Sequence, residues 1–566
     1  MKCFAIIVGT TTFYLVLATL VSLQAQTFDE RMSDWPLDLK INGVIIANGS
    51  DVASSAMIER FLADAGGEEE AKIVTVNFGS TSTLEQSKQR WDEAEHCHID
   101  VPGDLSLDDS GEDSDGIAFL QESLSTASGV WLEADASLNP DHRRLLRHLT
   151  DNLRDVIDRN GVIYSSAATS HALGRHEITG GQMFGDQGHA SIREGLNLIP
   201  DAVISTKFEQ PWSRSRLLGV LGSHPRAIGI GLDEDTAIVF RGRKIWAMGA
   251  GKAHFMTMAN ERLPMRAKSL AEPESRRPNP YESLVDLTAW RRDAIDRTLE
   301  PFPPEQPQKP NVENGTLLIV GGGGMPDGML DQFIELAGGD EARLVYIPCT
   351  ERESVNPREA RIVELWKSRG VAAADVVHTK DRTQANEDEA FLEPLKNATG
   401  IFFGGGRQWN FSDSYYGTEA HRLMKDVLVR GGVIAGSSAG ASIQARYLAR
   451  ANPVGNFDIM APGYERGGLG FISGVAIDQH FTQRNRQPDM TSLVNRYPQL
   501  LGIGIDERTA LVVQGSIGQV VGENKVFFYD RNQVAAHDDP DYLALEAGQQ
   551  FDLAARTVIE EAEPEK

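Results

Sequence analysis

The sequence predicts an α/β fold made of two tandem doubly wound domains, each built on a mostly parallel sheet. Short runs that are apolar throughout, such as 343–347 and 400–403, suit strands that are covered on both faces. These runs alternate with segments of helical periodicity, such as 329–336 and 419–429, which is typical of a parallel sheet flanked by helices. Several segments also recur about 272 residues apart and in the same order, which indicates a duplication.

The recurrence is visible in two pairs of segments outside any candidate site. Segment 61–68 resembles segment 333–340, which lies 272 residues later in the chain. Segment 229–237 resembles segment 502–510, 273 residues later. Because the spacing and the order agree, we interpret the chain as two copies of one domain.

The boundaries of the copies follow from composition. A proline-rich stretch at residues 301–311 favours an extended, semi-rigid connector, and a helix is predicted before it at 281–298. The first copy is therefore assigned to residues 27–300 and the second to residues 312–566. A chain of 566 residues is too long for one ordinary core, which agrees with two domains.

The N-terminal segment has the pattern of an export signal. Lys2 precedes an apolar stretch at residues 4–23, and a small residue, Ala25, precedes a polar segment. We predict a signal peptide at residues 1–25 and a periplasmic or extracellular location. The alternative is that the apolar stretch is retained as a membrane anchor, because its length is close to that of a membrane span.

The charge of the chain excludes one class of partner. The formal net charge is -26. A surface that binds nucleic acid or an anionic membrane needs a basic patch, so we expect no nucleic acid partner.

A strand, a tight turn and a helix surround Ser438. The apolar run at 432–435 suits a buried strand, and 441–448 is predicted to be helical. Gly436 and Gly440 remove Cβ clashes in the turn, which would lift Ser438 out beside the N–H groups of a helix N-terminus. The same Gly-x-Ser-x-Gly pentapeptide also fits a small-residue turn whose only role is close packing.

A nucleophilic serine needs a base, and the base needs a group that orients it. An apolar run at 474–477 leads to His480, which is the candidate base, although a histidine at a strand end also fits a structural role. Asp506 and Glu507 follow in a glycine-flanked turn, and either carboxylate could orient the imidazole. The order serine, histidine, acid differs from that of α/β-hydrolases and argues against a lipase or esterase.

These residues resemble the cyanophycinase and dipeptidase E group of serine peptidases, whose fold is similar to that of class I glutamine amidotransferases. The resemblance covers nearly all of residues 312–566. Its motifs, in chain order, are Gly405-Gly406-Arg407-Gln408, Gly436-Ser437-Ser438-Ala439-Gly440-Ala441-Ser442, Asp478-Gln479-His480-Phe481 and Gly504-Ile505-Asp506-Glu507.

The resemblance implies roles for three of these residues. Ser438 would be the nucleophile, His480 the general base and Glu507 the third member of the triad. The oxyanion would be held by the N–H group of Ala439 and by an N–H group from the glycine loop, at Gly405 or Gly406.

The resemblance also implies a substrate pocket, made of Gln408, Asp478, Gln479, Arg484 and Arg486. Cyanophycin carries arginine on each β-carboxylate of a poly-aspartate backbone. Acidic residues would meet its guanidinium groups, and either arginine could hold a free carboxylate, although both arginines also fit a solvated charge pair. The sequence departs from the family in having an arginine directly before Gln408, where an acidic residue is usual.

We therefore predict an exported serine-type exopeptidase that hydrolyses cyanophycin or related Asp-rich or β-Asp-Arg peptides through an acyl-enzyme. We expect no metal and no organic cofactor. The alternatives are a dipeptidase E-like aspartyl dipeptidase and a non-catalytic peptide-binding protein.

The first copy lacks part of this machinery. Ser166 keeps the serine, 272 residues before Ser438, but both elbow glycines are replaced. Lys207 stands where His480 stands in the second copy, and a lysine base would need strong desolvation to be neutral. We predict that the first copy is inactive and that the two copies form an intramolecular pseudo-dimer.

Two other motifs are assigned no ligand. The turn Gly321-Gly322-Gly323-Gly324 lacks the rest of a dinucleotide-binding fingerprint. The cluster His96-Cys97-His98 has no fourth metal ligand nearby in the sequence, and we place it in a surface loop.

Overall fold

The computed structural model describes residues 35, 41–79, 84–101, 115–134, 137–184, 187–273, 283–454, 458–532 and 540–560. The predicted signal peptide, residues 1–25, lies outside these ranges. Within them, no helix has both the length and the apolar character needed to cross a membrane. The elements given below all belong to one compact unit, Leu39–Lys566.

The first half of this unit contains fourteen described strands and eight α-helices. The strands are β1 (Ile41–Asn48), β2 (Lys72–Asn77), β3 (Glu95–Asp100), β4 (Gly129–Glu133), β5 (Val162–Ser165), β6 (His176–Phe184), β7 (Gln187–Glu194), β8 (Ala202–Thr206), β9 (Ile228–Leu232), β10 (Thr236–Gly242), β11 (Lys244–Gly249), β12 (Lys252–Thr257), β13 (Arg266–Ala271) and β14 (Val285–Asp286). The α-helices are Ser55–Asp64, Leu84–Trp91, Asp115–Thr126, Pro140–His148, Thr150–Asp158, Ala167–Ser170, Pro211–Ser223 and Leu287–Asp296.

The second half contains fourteen described strands and eight α-helices as well. The strands are β15 (Val312–Val320), β16 (Arg343–Ile347), β17 (Ala373–Val376), β18 (Gly400–Phe403), β19 (Val433–Ser437), β20 (Ala445–Tyr447), β21 (Ile472–Gln479), β22 (Leu501–Ile505), β23 (Thr509–Gly515), β24 (Ile517–Gly522), β25 (Val526–Tyr529), β26 (Leu543–Leu545), β27 (Gln550–Asp552) and β28 (Thr557–Ile559). The α-helices are Met329–Leu336, Pro357–Ser368, Arg382–Glu387, Glu389–Asn397, Trp409–Tyr415, Glu419–Val429, Ala439–Ser442 and Gln487–Arg496. Short 3₁₀ turns lie at His171–Leu173, Gly339–Glu341, Glu465–Gly467 and Thr482–Arg484.

Each half is built on a large sheet and a smaller one, and the equivalent strands follow the same order in both, with differences at the sheet edges. The large sheets run β3-β2-β4-β5-β1-β10-β11-β14 and β17-β16-β18-β19-β15-β23-β24-β27-β28. The small sheets run β7-β6-β8-β9-β12-β13 and β20-β21-β22-β25-β26. The first five strands of each large sheet pair in parallel, and antiparallel strands extend it. The predicted fold of two tandem, mostly parallel α/β sheets is confirmed.

The carboxyl ends of five strands of the second half meet at one place. In the large sheet β15, β18 and β19 end side by side, with Val320 opposite Ser437 and Phe403 opposite Gly436. In the small sheet β21 and β22 end together, with Gln479 opposite Ile505. Loops that follow parallel strands on the same edge converge, which is why chemistry collects there in α/β folds.

The prediction of a helix at 441–448, after the Ser438 turn, is wrong over most of that range. The observed helix is only Ala439–Ser442, and Ala445–Tyr447 forms β20, which pairs in parallel with β21. Ala445 and Tyr447 are buried while Arg446 between them is half-buried. This alternation has the period of two that a strand requires, and a run of three residues is too short to show it in the sequence.

The predicted loop at His96-Cys97-His98 is also wrong, because these residues lie in β3, which pairs in parallel with β2. The side chain of His96 bonds to the hydroxyl of Thr75 at 3.0 Å, and that of His98 bonds to the hydroxyl of Ser87 at 3.2 Å. Polar residues fit an edge strand because backbone pairing does not depend on the side chains. In the described part of the chain, no group of three or more His, Cys, Asp or Glu side chains is arranged to hold a metal.

The helix Leu287–Asp296 packs against both halves of the unit. It is shorter than the predicted 281–298, since Val285–Asp286 is a strand and Asp286 caps the helix. Its residues are buried continuously up to Ile295, and Ala289 packs in the core of the second half. A helix that is buried on all sides is packed between other elements. This helix contributes Trp290 to the core of the first half and Ala289 to that of the second.

Candidate active site

Ser438 occupies the apex of a strained turn between β19 and the helix Ala439–Ser442. Its backbone has φ 57° and ψ −114°, a conformation that residues other than glycine rarely adopt. A Cβ at Gly436 would lie closer than 3.0 Å to the carbonyl oxygen of Gly440, and one at Gly440 equally close to that of Phe403. Both positions therefore require glycine, and the turn holds the serine away from the sheet.

A chain of hydrogen bonds links Ser438, His480 and Glu507. His480 Nε2 lies 2.9 Å from Ser438 Oγ, and His480 Nδ1 lies 2.6 Å from Glu507 Oε1. A carboxylate can only accept, so Nδ1 carries the proton and Nε2 is left as the acceptor for the serine hydroxyl. The arrangement can take a proton from Ser438 and stabilise the imidazolium that results.

Only one of the two candidate carboxylates contacts the imidazole. The side chain of Asp506 is buried and accepts hydrogen bonds from the N–H and the hydroxyl of Thr482, at 2.9 and 2.7 Å. Glu507 instead points to His480 and is one-third exposed. Asp506 thus braces the chain after His480, while Glu507 orients the ring.

The turn Gly321–Gly324 is a part of the site that the sequence motifs did not predict. A Cβ on Gly322, at φ 103°, would lie closer than 3.0 Å to the ring of His480, and one on Gly323 would lie 2.6 Å from Glu507 Oε2. The carbonyl of Gly321 accepts a hydrogen bond from the N–H of His480 at 2.8 Å. The imidazole of His480 and the carboxylate of Glu507 therefore pack directly against glycine backbone. The sequence signal for this contact is the run of four glycines after a strand.

The backbone of the glycine loop and of Ala439 lies close to Ser438. A Cβ on Gly405 would lie 3.4 Å from Ser438 Cβ, so this part of the loop is adjacent to the serine. The backbone of Gly406 packs on Cys349, and Ala439 opens the helix after the serine. Among the described residues, none accepts a hydrogen bond from the N–H groups of Ala439, Gly405 and Gly406. These donors can serve an oxyanion that develops beside Ser438.

Two of the predicted substrate residues lie in a buried ion cluster. Both oxygens of Asp478, which is fully buried, accept from Nε of Arg450 at 2.9 Å, and one accepts from Nη1 of Arg486 at 3.0 Å. Arg450 also pairs with Asp489 at 2.6 Å. The charges of Asp478, which lies near the end of β21, and of Arg486 are therefore paired with each other and with Arg450 inside the protein.

The other three predicted substrate residues differ in their exposure. Gln408 is buried and donates to the carbonyl of Ala449 at 2.6 Å. Gln479 is buried, and within the described residues its Oε1 has no hydrogen-bond partner. Arg484 is exposed, and its guanidinium makes no hydrogen bond or ion pair with the described residues. Of the five predicted residues, Arg484 is the one placed to meet a solute.

Burial lowers the pKa of His480 below its ordinary value of 6.5. The positive charges of Arg484 and Arg486 lower it further, and the hydrogen bond to Glu507 acts in the opposite direction. Burial also lowers the pKa of Arg486, to about 10. At neutral pH the imidazole is therefore neutral, as a proton acceptor must be.

The site of the second half lies within a region shared with known proteins. The family model described as Peptidase family S51 matches residues 317–521, which include Ser438, His480 and Glu507. A cyanophycinase from Geminocystis herdmanii is 31% identical over 204 residues, which is 36% of this chain and 74% of that protein. The chain belongs to peptidase family S51. Membership of S51 makes it a hydrolase of the peptidase class.

Other known proteins are also similar to part of the chain. A cyanophycinase from Trichormus variabilis is 29% identical over 248 residues, 41% of this chain and 82% of that protein. A crystal structure of a peptidase from an acI-B1 actinobacterium is 24% identical with a TM-score of 0.31, and covers 43% of this chain and 98% of that one. A putative peptidase E protein from Listeria monocytogenes is 15% identical with a TM-score of 0.29, and covers 37% of this chain and all of that one.

The corresponding place in the first half has a different geometry. Ser166 is extended, at φ −70° and ψ 169°, and almost fully buried. Its hydroxyl accepts from the N–H of Ala134 at 3.1 Å and donates to the carbonyl of the same residue at 3.2 Å. Lys207 keeps the positive φ of His480, but its ammonium lies 3.5 Å from Asp51. The serine hydroxyl is thus bonded to backbone, and the cation is paired.

Proposed function

We propose that this S51 chain is a serine-type exopeptidase that hydrolyses cyanophycin or related β-Asp-Arg peptides through an acyl-enzyme. The observation that carries the proposal is the hydrogen-bonded chain from Glu507 through His480 to Ser438. The similarity of the chain to cyanophycinases supports the substrate class.

The geometry supports the following order of steps. Ser438 Oγ attacks the scissile carbonyl carbon while its proton passes to His480 Nε2, and Glu507 stabilises the imidazolium. The N–H groups of Ala439 and Gly405 hold the oxyanion. His480 then gives its proton to the leaving amine as the C–N bond breaks, and a water molecule hydrolyses the acyl-enzyme with His480 again as base.

Two features beside the triad suit the charges of cyanophycin. The exposed guanidinium of Arg484 can hold a substrate carboxylate in bidentate geometry. A cleft of about 690 Å³ lies next to Asp506, and its walls carry the aromatic rings of Phe527 and Tyr542. Its carboxylates Glu523 and Glu546 are paired with Arg508 and Lys525, so the aromatic faces are what the cleft offers a guanidinium.

Arg407, which departs from the family pattern, makes a hydrogen bond within the protein. Arg407 donates from Nη2 to the carbonyl of Asn452 at 2.6 Å. Its charge is therefore directed at the backbone.

Product analysis tests the substrate class. Incubation of the full chain with cyanophycin is expected to release β-Asp-Arg, measured by liquid chromatography with mass spectrometry. Cleavage of Asp-x dipeptides without attack on cyanophycin would favour the aspartyl dipeptidase instead. Binding of either substrate without turnover would favour a peptide-binding protein.

The pH dependence of kcat/KM tests the role of His480. Activity is expected to rise as His480 loses its proton, with a midpoint below pH 6.5, since burial and the nearby arginines lower its pKa. Replacing Arg484 with glutamine removes one of these charges, so the midpoint should move to higher pH. The matched variant R484K keeps the charge and should leave the midpoint in place; an equal shift in both variants would contradict the electrostatic explanation.

We also propose that the protein is exported, that its first half is non-catalytic and that the two halves form an intramolecular pseudo-dimer. The bonded hydroxyl of Ser166 and the Lys207–Asp51 pair support the loss of activity. The sharing of the helix Leu287–Asp296 between the cores supports the pseudo-dimer. The signal pattern at residues 1–25 supports export.

A further inference from the structure

Asp413 of the second half is held by two arginines of the first half. Its carboxylate accepts from Nη1 of Arg292 at 2.6 Å and from Nη1 of Arg243, and the hydroxyl of Tyr464 donates to it at 2.9 Å. Asp413 and Arg292 are both buried, at 5% and 1% exposure. Burial alone would raise the pKa of Asp413, but the two guanidiniums outweigh it and hold the pKa at about 2. The carboxylate is therefore ionised and fully engaged.

The two arginines are anchored in the first half. Arg243 binds both oxygens of Asp286, and Asp286 also accepts from the N–H of Ala289 at the start of the helix Leu287–Asp296. Arg292 lies on that same helix. Arg243 also lies over the ring of Trp409 of the second half, at 4.6 Å from its centroid. The two arginines that contact Asp413 are thus fixed in the first half by Asp286 and by the helix Leu287–Asp296.

Asp413 lies on the helix Trp409–Tyr415, which follows the glycine loop that borders Ser438. All seven residues of this helix are buried. The loop, residues 404–408, runs from the end of β18 directly into the helix, and Gly405 lies eight residues before Asp413. At the junction, the carbonyl of Arg407 accepts from Sγ of Cys349 at 3.0 Å. With β18 fixed in the sheet, the position of the helix sets the path of the loop.

We propose that Arg243 and Arg292 of the first half are positioning residues for the oxyanion donors of the second half. They hold Asp413, Asp413 holds the helix Trp409–Tyr415, and the helix holds the glycine loop in which Gly405 lies beside Ser438. The first half is then a built-in part of the catalytic apparatus, although it contributes no group that touches the substrate. This inference rests on the proposed function, because it takes Ser438 as the reacting group.

The conservative variant R292K tests the inference in the full chain. Lysine keeps the charge but loses the planar fork of Arg292, so the carboxylate of Asp413 is held less firmly. We expect kcat to fall about 10-fold or more with KM little changed, because the oxyanion donors act in the transition state and small misplacements are costly there. The rate at which a fluorophosphonate labels Ser438 should fall in parallel, since the phosphoryl oxygen needs the same donors.

A neighbouring arginine provides the matched control. Arg291 is also buried on the helix Leu287–Asp296, but it pairs with Asp201 of the first half at 3.0 Å. R291K should therefore change kcat and the labelling rate much less than R292K at similar thermal stability. Should R292K fail to fold, D413N, which keeps the shape of the side chain, takes its place in the comparison.

The inference is overturned by either of two results. One is a folded R292K or D413N with the kcat and labelling rate of the wild type. The other is an equal loss in R291K and R292K, which would indicate general loosening of the first half. A wild-type chain that is not labelled at Ser438 would count against the proposed function itself, so the two failures are distinguishable.

Discussion

Replacing Ser438 with alanine is expected to lower kcat/KM by about 10⁴-fold or more while leaving the fold intact. In the proposed mechanism Ser438 supplies the nucleophile, and no other hydroxyl in the described hydrogen-bonded chain can replace it. Removal of the hydroxyl leaves only the oxyanion donors and substrate binding to act. Alanine also lacks γ atoms, so it adds no clash in the strained turn, and thermal unfolding should change little.

The matched control is the serine of the first half. S166A should keep the activity of the wild type, because the Ser166 hydroxyl is buried and bonded to Ala134. A fluorophosphonate should label the wild type and S166A at a single residue, and S438A at none. Labelling or turnover that survives in S438A would show that the nucleophile lies elsewhere.

The second large effect is expected from Gly322. In G322A the new Cβ would lie closer than 3.0 Å to the ring of His480, so the imidazole has to move away from Ser438. A displacement of about 1 Å at a reacting group can lower the rate about 10²-fold, and we expect a loss of that order in kcat/KM. The measurement is steady-state kinetics on folded protein, with thermal unfolding to monitor stability.

Gly324 offers a control in the same turn. It also has a positive φ, 121°, so alanine there introduces a comparable backbone strain, but a Cβ would meet nothing within 4 Å. G324A should therefore lose some stability and little activity. Equal activity losses in G322A and G324A would mean that backbone strain, and not the contact with His480, is responsible.

Much of the candidate site could be predicted from local sequence. The elbow around Ser438 was visible because a turn this tight tolerates only glycine at two positions, and backbone sterics are a local property. His480 and the carboxylate pair were visible because each follows an apolar run that forms a strand. In a parallel sheet, residues that follow strand ends converge whatever lies between them.

Other features depended on contacts between segments that are distant in sequence. The run of four glycines by itself indicates only a turn, since the contact of Gly322 with His480 joins residues that are 480 − 322 = 158 positions apart. The local pattern predicts a helix at the short segment Ala445–Tyr447, whereas its pairing with β21 makes it a strand. Local propensity is weak compared with tertiary pairing in segments of this length.

The sequence by itself determined the tandem α/β fold, the strained turn at Ser438 and the order of the three candidate catalytic residues, because periodicity, glycine sterics and internal repetition are properties of the chain alone. Only the tertiary structure decided that Glu507 and not Asp506 meets His480, that Asp478 and Arg486 are satisfied inside a buried ion cluster, and that the first half reaches Asp413. The physical reason is that the partner of a charge and its access to water are set by which distant segments pack around it.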